Sequence, residues 1–149
     1  MNDLILRRAA PSDMNGLLQL QLDVFSGEQG IPSSMNPLPA ESSPQWWCAF
    51  FGSELVGGVG AWRDHEEVHW GRYTIKPNYR GQHIGTKLAR FSFEDLFSQG
   101  VKEIHMEARE ITVRIICSLG GKITGEPKNF YLGTITPVVL YQTDYIKAD

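Results

Sequence analysis

The sequence predicts an α/β (α+β) domain with a mixed, mostly antiparallel central sheet and helices on both faces of that sheet. Two observations favour this class. Short apolar strand patterns separated by polar turns dominate the first half of the chain, and segments with helical spacing alternate with strands in the second half. The 149 residues, 42% hydrophobic and 21% charged, are typical of one globular domain, which is predicted over residues 1–149.

The N-terminal segment is predicted to form a strand, a helix and a long loop. Leu4–Arg8 has the apolar character of a strand, and a helix is expected to start at Pro11-Ser12-Asp13, with Ser12 as its N-cap. Glycines and a proline between residues 27 and 32 end this helix. Proline and serine are frequent in residues 32–44, so this stretch is expected to be a loop and not a second domain.

Three strands linked by short turns are predicted next. They cover Gln45–Phe51, Leu55–Arg63 and Val68–Lys76, and the turns between them are Gly52-Ser53-Glu54 and Asp64–Glu67. Short links between consecutive strands make this part of the sheet antiparallel.

The second half of the chain is predicted to alternate between helices and strands before it closes with a strand pair. The predicted elements are a helix at Ile84–Gln99, a strand at Lys102–Ala108, a helix at Thr112–Leu119, and strands at Ile123–Leu132 and Val138–Tyr145. Glycines at 100 and 120 stand just past the two helices, where they favour helix termination.

Composition narrows the function classes. A net charge of -3 gives no electrostatic reason to expect a nucleic-acid partner. No apolar run has the length of a membrane span, and Met1-Asn2-Asp3 does not begin a signal peptide, so we expect a cytoplasmic protein without a membrane partner. Cys48 and Cys117 match no metal-ligand spacing, and we interpret both as buried thiols rather than a disulfide, with no metal site.

The segment most informative about function joins the strand Val68–Lys76 to the following helix. A helix N-terminus presents unpaired backbone N–H groups and partial positive charge, so it binds a pyrophosphate if the backbone can come close. Gly81 and Gly85 allow that approach, Arg80 adds a cation and Thr86 a hydroxyl. The segment is neither a Walker loop nor a Gly-x-Gly-x-x-Gly fingerprint. Local chemistry alone leaves open that the glycines only make a tight turn.

The residues from Arg72 to Gly85 resemble the acetyl-CoA motif of the GCN5-related N-acetyltransferases, the GNAT superfamily. The family pattern is Gln/Arg-x-x-Gly-x-Gly/Ala after a strand that ends in an apolar residue. Arg80 and Gly85 match the outer positions, Ile75 matches the strand residue, and His83 stands where the first glycine is usual. The order of predicted elements follows the family over nearly the whole chain, which implies a GNAT-like acyl-CoA N-acyltransferase fold.

The resemblance implies that acetyl-CoA is a co-substrate and that no metal takes part. It implies that the strand ending at Ile75 splays from Lys102–Ala108, that the pantetheine arm lies in the gap, and that a backbone N–H there polarises the thioester carbonyl. The coenzyme-binding residues that it implies are Tyr73, Thr74, Ile75, Arg80, Gly81, Gln82, His83, Ile84, Gly85 and Thr86.

The resemblance also suggests catalytic groups. His69 falls where some family members carry a catalytic glutamate, and a neutral imidazole can accept the ammonium proton of an amine near neutral pH. Glu67 is the next candidate base, and Glu28 and Glu107 are weaker candidates. The helix tyrosine that protonates the thiolate in many members is replaced by Ile116, so Tyr131 or Tyr73 is the candidate acid unless the thiolate leaves unaided.

The expected function is therefore N-acetyl transfer to a primary amine of a small-molecule or peptide acceptor, by direct attack in a ternary complex, with a homodimer as a possible assembly. The alternative is a coenzyme-binding regulatory or interaction domain of the same fold with impaired catalysis. A nucleotide-binding protein outside this family is a third interpretation, which predicts stabilisation by ATP and none by acetyl-CoA.

Overall fold

A computed structural model describes residues 3–28 and 43–147. The strands are β1 (Leu4–Arg8), β2 (Gln45–Phe51), β3 (Glu54–Asp64), β4 (Glu67–Ile75), β5 (Glu103–Ala108), β6 (Lys122–Ile123), β7 (Lys128–Phe130) and β8 (Gly133–Tyr141). The helices are α1 (Met14–Leu22), α2 (Ile84–Ser98) and α3 (Glu110–Ser118). Most of the predicted loop at residues 32–44 lies outside the described residues.

The strands form one mixed sheet in the order β1-β2-β3-β4-β5-β8-β6, and β7 pairs with β8 beside this path. All registered pairs between described strands are antiparallel except β4 with β5. The predicted fold class is confirmed.

Helices cover both faces of the sheet, and two neighbouring glycines of β3 show it. A Cβ atom at Gly57 would contact Leu88 of α2, whereas one at Gly58 would lie 2.3 Å from Leu17 of α1. Because successive strand residues point to opposite faces, α1 and α2 pack on opposite sides. The larger core lies under α2, and its fully buried members include Trp47 and Phe93.

The N-terminal helix starts differently from the prediction, and Ser12 is not its N-cap. The chain enters α1 through a 3₁₀ turn at Pro11–Asp13, and α1 begins at Met14. The Asp13 carboxylate accepts a hydrogen bond of 2.7 Å from the Ala10 N–H and pairs with Arg7. Asp13 thus accepts from the Ala10 N–H group that precedes the turn, so Ser12 is not needed as a cap.

The turn before β4 is shorter than predicted. Asp64 and Glu67 pair with each other across β3 and β4, so the turn contains only His65 and Glu66. His65 has a φ of 57°. Two-residue hairpin turns require left-handed backbone, and histidine tolerates it better than most residues.

The predicted strand Ile123–Leu132 is wrong as a single element. It divides into β6 and β7, and β8 begins earlier than predicted, at Gly133. Pro127 interrupts the segment because proline cannot donate to a ladder. Gly125 also packs closely against Pro137 of β8, because a Cβ atom on the glycine would lie 2.8 Å from the proline ring. This close packing also separates the two strands.

Cys48 and Cys117 are free thiols in this structure. Burial raises the pKa of Cys48 to about 12. Among the helices of the described residues, none is long and apolar enough to cross a membrane.

Candidate active site

The central feature of the sheet is the parallel pair β4 and β5, which is joined over only a short length. Registered pairs occur at Val68 with Ile104 and at His69 with His105. Beyond them β4 continues to Ile75 on β3, while β5 continues to Ala108 on β8. The two strands therefore diverge toward their carboxyl ends and leave a gap in the middle of the sheet.

A β-bulge in β4 lies beside this gap. Gly58 pairs with Thr74 and Gly60 with Gly71, so Val59 alone opposes two residues, Arg72 and Tyr73. Arg72 has a φ of 56°, a left-handed conformation that is uncommon for a residue other than glycine. A bulge of this kind bends the strand and redirects its side chains and backbone groups.

The turn from β4 into α2 presents backbone N–H groups at the wide end of the gap. Gly81 has a φ of 82°, and His83, which precedes the helix, has a φ of 64°. Arg80 folds back so that its Nε donates to the Ile75 carbonyl oxygen at 3.1 Å. The first turn of α2 is thereby fixed beside the end of β4.

Gly85 has a steric role that differs from the one predicted for it. A Cβ atom at this position would lie 2.2 Å from Tyr73 Oη. Glycine is therefore required here so that β4 and the first turn of α2 can pack closely. By contrast, a Cβ atom at Gly81 would meet no neighbouring atom within 4 Å, so the left-handed φ accounts for that glycine.

A cleft of about 940 Å³ occupies the gap. Trp70 and Met106, on the α2 side, line its floor, while Gly71 and Glu107 line it from the α1 side. Phe25, from a π-helical segment at Asp23–Glu28, closes part of the α1 side. The lining of the cleft thus includes residues from both faces of the sheet.

Most residues predicted to bind the coenzyme come together on this cleft. Those that line it are Tyr73, Thr74, Ile75, Arg80, Gly81, His83, Gly85 and Thr86. Gln82 is exposed outside the lining, and the Ile84 side chain is buried in the core. Residues from a strand end and a helix start meet here because the 3₁₀ turn Pro77–Tyr79 reverses the chain between them.

The predicted bases lie at the narrow end of the gap, outside the described lining of the cleft. His69 Nε2 is 3.3 Å from Glu67 Oε1, and its ring centroid is 5.8 Å from that of His105. His105 Nε2 is 2.9 Å from Glu103 Oε1. The side chains of Glu67, His69, His105 and Glu103 thus lie together on one face of the β4–β5 pair. No group of His, Cys, Asp and Glu side chains within the described ranges has the arrangement of a metal site.

Trp62 packs beside His69 on the same face of the sheet. The two rings stack with centroids 6.1 Å apart, and a Cβ atom at Gly71 would lie 2.9 Å from the Trp62 ring. The indole therefore covers the glycine that follows His69 on this face. Proton exchange between the His69 imidazole and the cleft would need a water molecule around the Trp62 ring.

The acid candidates occupy different places. Tyr131 lies at the tip of the β7–β8 hairpin, half-exposed and packed edge-on against Phe130, and it is not part of the described lining. Tyr73 lines the cleft. Ile116 is fully buried in the core, so the residue at the usual tyrosine position does not reach the cleft.

Three charged residues line the cleft but were not among the leading site residues predicted from the sequence: Arg72, Arg109 and Glu107. Arg72 stands in the bulge with its guanidinium 5.5 Å from the Trp62 ring centre, and Arg109 follows β5 and donates to the Phe130 carbonyl oxygen at 2.9 Å. Burial lowers the pKa of both guanidinium groups. Glu107 lines the cleft from β5. For Arg109 the sequence offered one signal, its location directly after a strand. For Arg72 it offered none, because no sequence pattern marks the bulge.

The parallel pair that opens around a cleft, next to a glycine-containing helix start, defines the acyl-CoA N-acyltransferase fold. The chain belongs to the acetyltransferase (GNAT) family, whose model matches residues 14–114. A comparison with curated proteins gives no significant match.

Solved structures of low sequence identity share the fold. ElaA of Escherichia coli is 19% identical with a TM-score of 0.78, covering 93% of this chain and 99% of its own. FeeM, an N-acyl amino acid synthase from uncultured soil microbes, is 12% identical with a TM-score of 0.80, covering 97% and 93%. PaiA N-acetyltransferase of Thermoplasma acidophilum, solved with coenzyme A, is 13% identical with a TM-score of 0.69, covering 93% and 99%.

Proposed function

We propose that the protein transfers an acetyl group from acetyl-CoA to a primary amine of a small-molecule or peptide acceptor, in a ternary complex in the cytoplasm. The observation that carries the proposal is the gap between β4 and β5, whose lining includes residues from both faces of the sheet. A thioester and an amine that enter from opposite faces can meet at its centre. Family membership and the coenzyme A bound to the PaiA enzyme support the choice of donor.

The coenzyme is proposed to bind along the free edge of β4. Between Trp70 and Ile75 this edge has no registered strand partner on the β5 side among the described residues, so the amides of a pantetheine arm can pair with it as a strand would. The helix start at Gly81 to Thr86, together with Arg80, then receives the pyrophosphate.

The chemistry needs one proton acceptor and little else. The base takes one proton from the acceptor ammonium group, and the neutral nitrogen attacks the thioester carbon. The new C–N bond forms as the C–S bond breaks, and a second proton passes from the nitrogen to the thiolate, directly or through water. A backbone N–H at the Arg72 bulge is proposed to donate to the carbonyl oxygen as negative charge develops there. One such hydrogen bond lowers the activation free energy by about 3–4 kcal/mol in comparable sites. Positioning of the two substrates supplies much of the remaining acceleration.

Two side chains are proposed as the proton acceptor and can be distinguished by mutation. His69 would act through a water molecule, whereas Glu107 lines the cleft and would act directly. If His69 is the base, His69→Ala lowers kcat about 100-fold and Glu107→Gln has a small effect. Full turnover of His69→Ala across about pH 6 to 9 would exclude the histidine. Tyr131→Phe, with wild-type turnover expected, tests whether that distant phenol has any role.

A binding and turnover screen tests the function as a whole. Thermal shift with acetyl-CoA, CoA and ATP measures which ligand stabilises the protein, and thiol release with a panel of amines, amino acids and peptides measures transfer. We expect stabilisation by both coenzyme forms, none by ATP, and acetyl-dependent thiol release with at least one amine. Coenzyme binding without release on any amine would favour the alternative, a regulatory domain that has lost catalysis.

A further inference from the structure

The buried side chain of Tyr73 ends in a polar hydroxyl group. Its Oη atom is buried and makes no hydrogen bond within the part of the chain that the structure describes. A buried hydroxyl without a partner is destabilising, and such groups are rare in native structures unless they have a functional reason.

The side chains packed near this hydroxyl have other partners within the described residues. The Tyr73 ring packs on the Trp70 ring with centroids 5.0 Å apart. The neighbouring Ser92 hydroxyl is already occupied, because it accepts from Trp70 Nε1 at 2.9 Å and donates to the Ala89 carbonyl oxygen at 2.9 Å. The Ser92 hydroxyl therefore has its proton engaged elsewhere and cannot donate to Tyr73.

The position of the hydroxyl indicates what its partner is. Oη lies against the first turn of α2, 2.2 Å from the place of a Cβ on Gly85, and Tyr73, Gly85 and Thr86 all line the cleft. This is the junction between the edge of β4 and the helix start. A ligand that runs from one to the other would pass Tyr73.

We infer that Tyr73 Oη donates a hydrogen bond to the acyl-CoA, at the point where the pantetheine arm meets the pyrophosphate. The inference rests on the proposed function, since it requires the coenzyme to occupy this cleft. It assigns a side-chain role where the prediction from sequence assigned only backbone contacts. Tyr73 is then a positioning residue for the coenzyme and not the acid for the thiolate.

The acid–base properties of the phenol are consistent with a donor that keeps its proton. Burial raises the pKa of Tyr73 above its ordinary value. A thiol is ordinarily more acidic than a phenol, at about 8.5 against about 10, so proton transfer from this tyrosine to the leaving thiolate is unfavourable. The phenol therefore remains protonated throughout the working range of pH.

Tyr73→Phe tests the inference because it removes only the hydroxyl. We expect the Kd for CoA and for acetyl-CoA to rise about tenfold, which is the usual worth of one hydrogen bond to a polar ligand. The KM for acetyl-CoA should rise in the same proportion while kcat at saturation stays unchanged. The Tm of the free protein should stay the same or rise, because the buried unsatisfied group is gone.

Tyr145→Phe is the matched control. Tyr145 Oη donates to Glu94 at 2.6 Å and accepts from Arg90 at 3.3 Å, outside the lining of the cleft. This variant should lower the Tm and leave the Kd for the coenzyme unchanged, so the two phenylalanine variants are expected to show opposite patterns.

The outcomes separate this inference from the proposed function. If the wild-type protein binds neither CoA nor acetyl-CoA in calorimetry, the proposed function fails and the inference fails with it. If the wild type binds and Tyr73→Phe binds equally well, only the inference is overturned. A fall in the Tm of the free Tyr73→Phe protein would also overturn it, since that result means the hydroxyl has a protein partner.

Discussion

At the scale of single residues, His83 is the clearest departure of this chain from the family motif. It precedes α2 with a φ of 64° and lines the cleft without capping the helix through its side chain. Left-handed backbone costs a residue with a Cβ atom about 1–2 kcal/mol relative to glycine. The glycine usual at this position would avoid that cost and leave more room for a pyrophosphate.

We predict that His83→Gly tightens the binding of CoA and does not lower the Tm. The reasons are relief of the left-handed backbone and removal of the imidazole from the lining of the cleft. Isothermal calorimetry gives the Kd and a thermal melt gives the Tm. His83→Asn is the control, because asparagine tolerates the same backbone but keeps a side chain. Weaker binding in the glycine variant would instead show that the imidazole contacts the coenzyme.

At the scale of elements, the site depends on the close approach of β4 to the first turn of α2. Tyr73 and Gly85 are the contact point, and the Arg80 hydrogen bond to the Ile75 carbonyl ties the connecting turn to the end of β4. The second glycine of the motif is consequently a packing residue as well as a neighbour of the ligand.

Gly85→Ala is predicted to destabilise the protein by about 1–3 kcal/mol, because the new methyl group would overlap Tyr73 Oη. In a Tyr73→Phe background the closest remaining contact is 3.2 Å, to ring Cζ, and alanine has the better helix propensity. The same substitution should then cost less than about 1 kcal/mol. Urea unfolding of the four proteins measures this coupling, and equal costs in both backgrounds would refute the contact.

At the scale of the whole molecule, Asp95 ties α2 to the far edge of the sheet. Its carboxylate accepts from Arg8 Nε of β1 at 2.6 Å and from Trp47 Nε1 of β2 at 2.8 Å. The Arg8 guanidinium lowers the pKa of Asp95 to about 2. The Trp47 side chain is fully buried, so its N–H has no access to water as a replacement partner.

The sign of the pH dependence follows from the depressed pKa. The stabilisation is complete above the ordinary carboxyl value of about 4 and is lost as the pH falls through about 2. Asp95→Asn should therefore lower the free energy of unfolding by about 1–2 kcal/mol at neutral pH, allowing for the exposed position of Arg8. The difference from the wild type should shrink toward pH 2. Urea unfolding at several pH values measures it.

The control for this experiment is Glu110→Gln. Glu110 pairs with Arg114 at 3.2 Å on an exposed turn of α3. Exposed pairs of this kind contribute less than about 0.5 kcal/mol. A loss for Asp95→Asn no larger than that of the control would mean that the joint between α2 and the sheet does not depend on this carboxylate.

The local parts of this protein follow from its sequence because they depend on neighbouring residues. The bounds of β1 and β2 agree with the predicted strands, and α2 begins at the predicted Ile84. Hydrophobic periodicity marks these segments without reference to the rest of the chain. The turn between β4 and α2 was also recognisable, because Gly81 and Gly85 follow Arg80 at a strand–helix junction.

The tertiary structure alone decided which side chains meet at the cleft. The separation of β4 from β5 after His69, and the bulge that gives Arg72 a positive φ, arise from pairing between distant segments. One extra residue in a strand changes the face on which the following side chains lie, so counting along β4 across this bulge placed His69 near the cleft. The sequence thus determined that a coenzyme motif exists. Non-local packing determined that the Trp62 ring stacks on His69, that Glu107 lines the cleft, and that the hydroxyl of Tyr73 has no partner among the described residues.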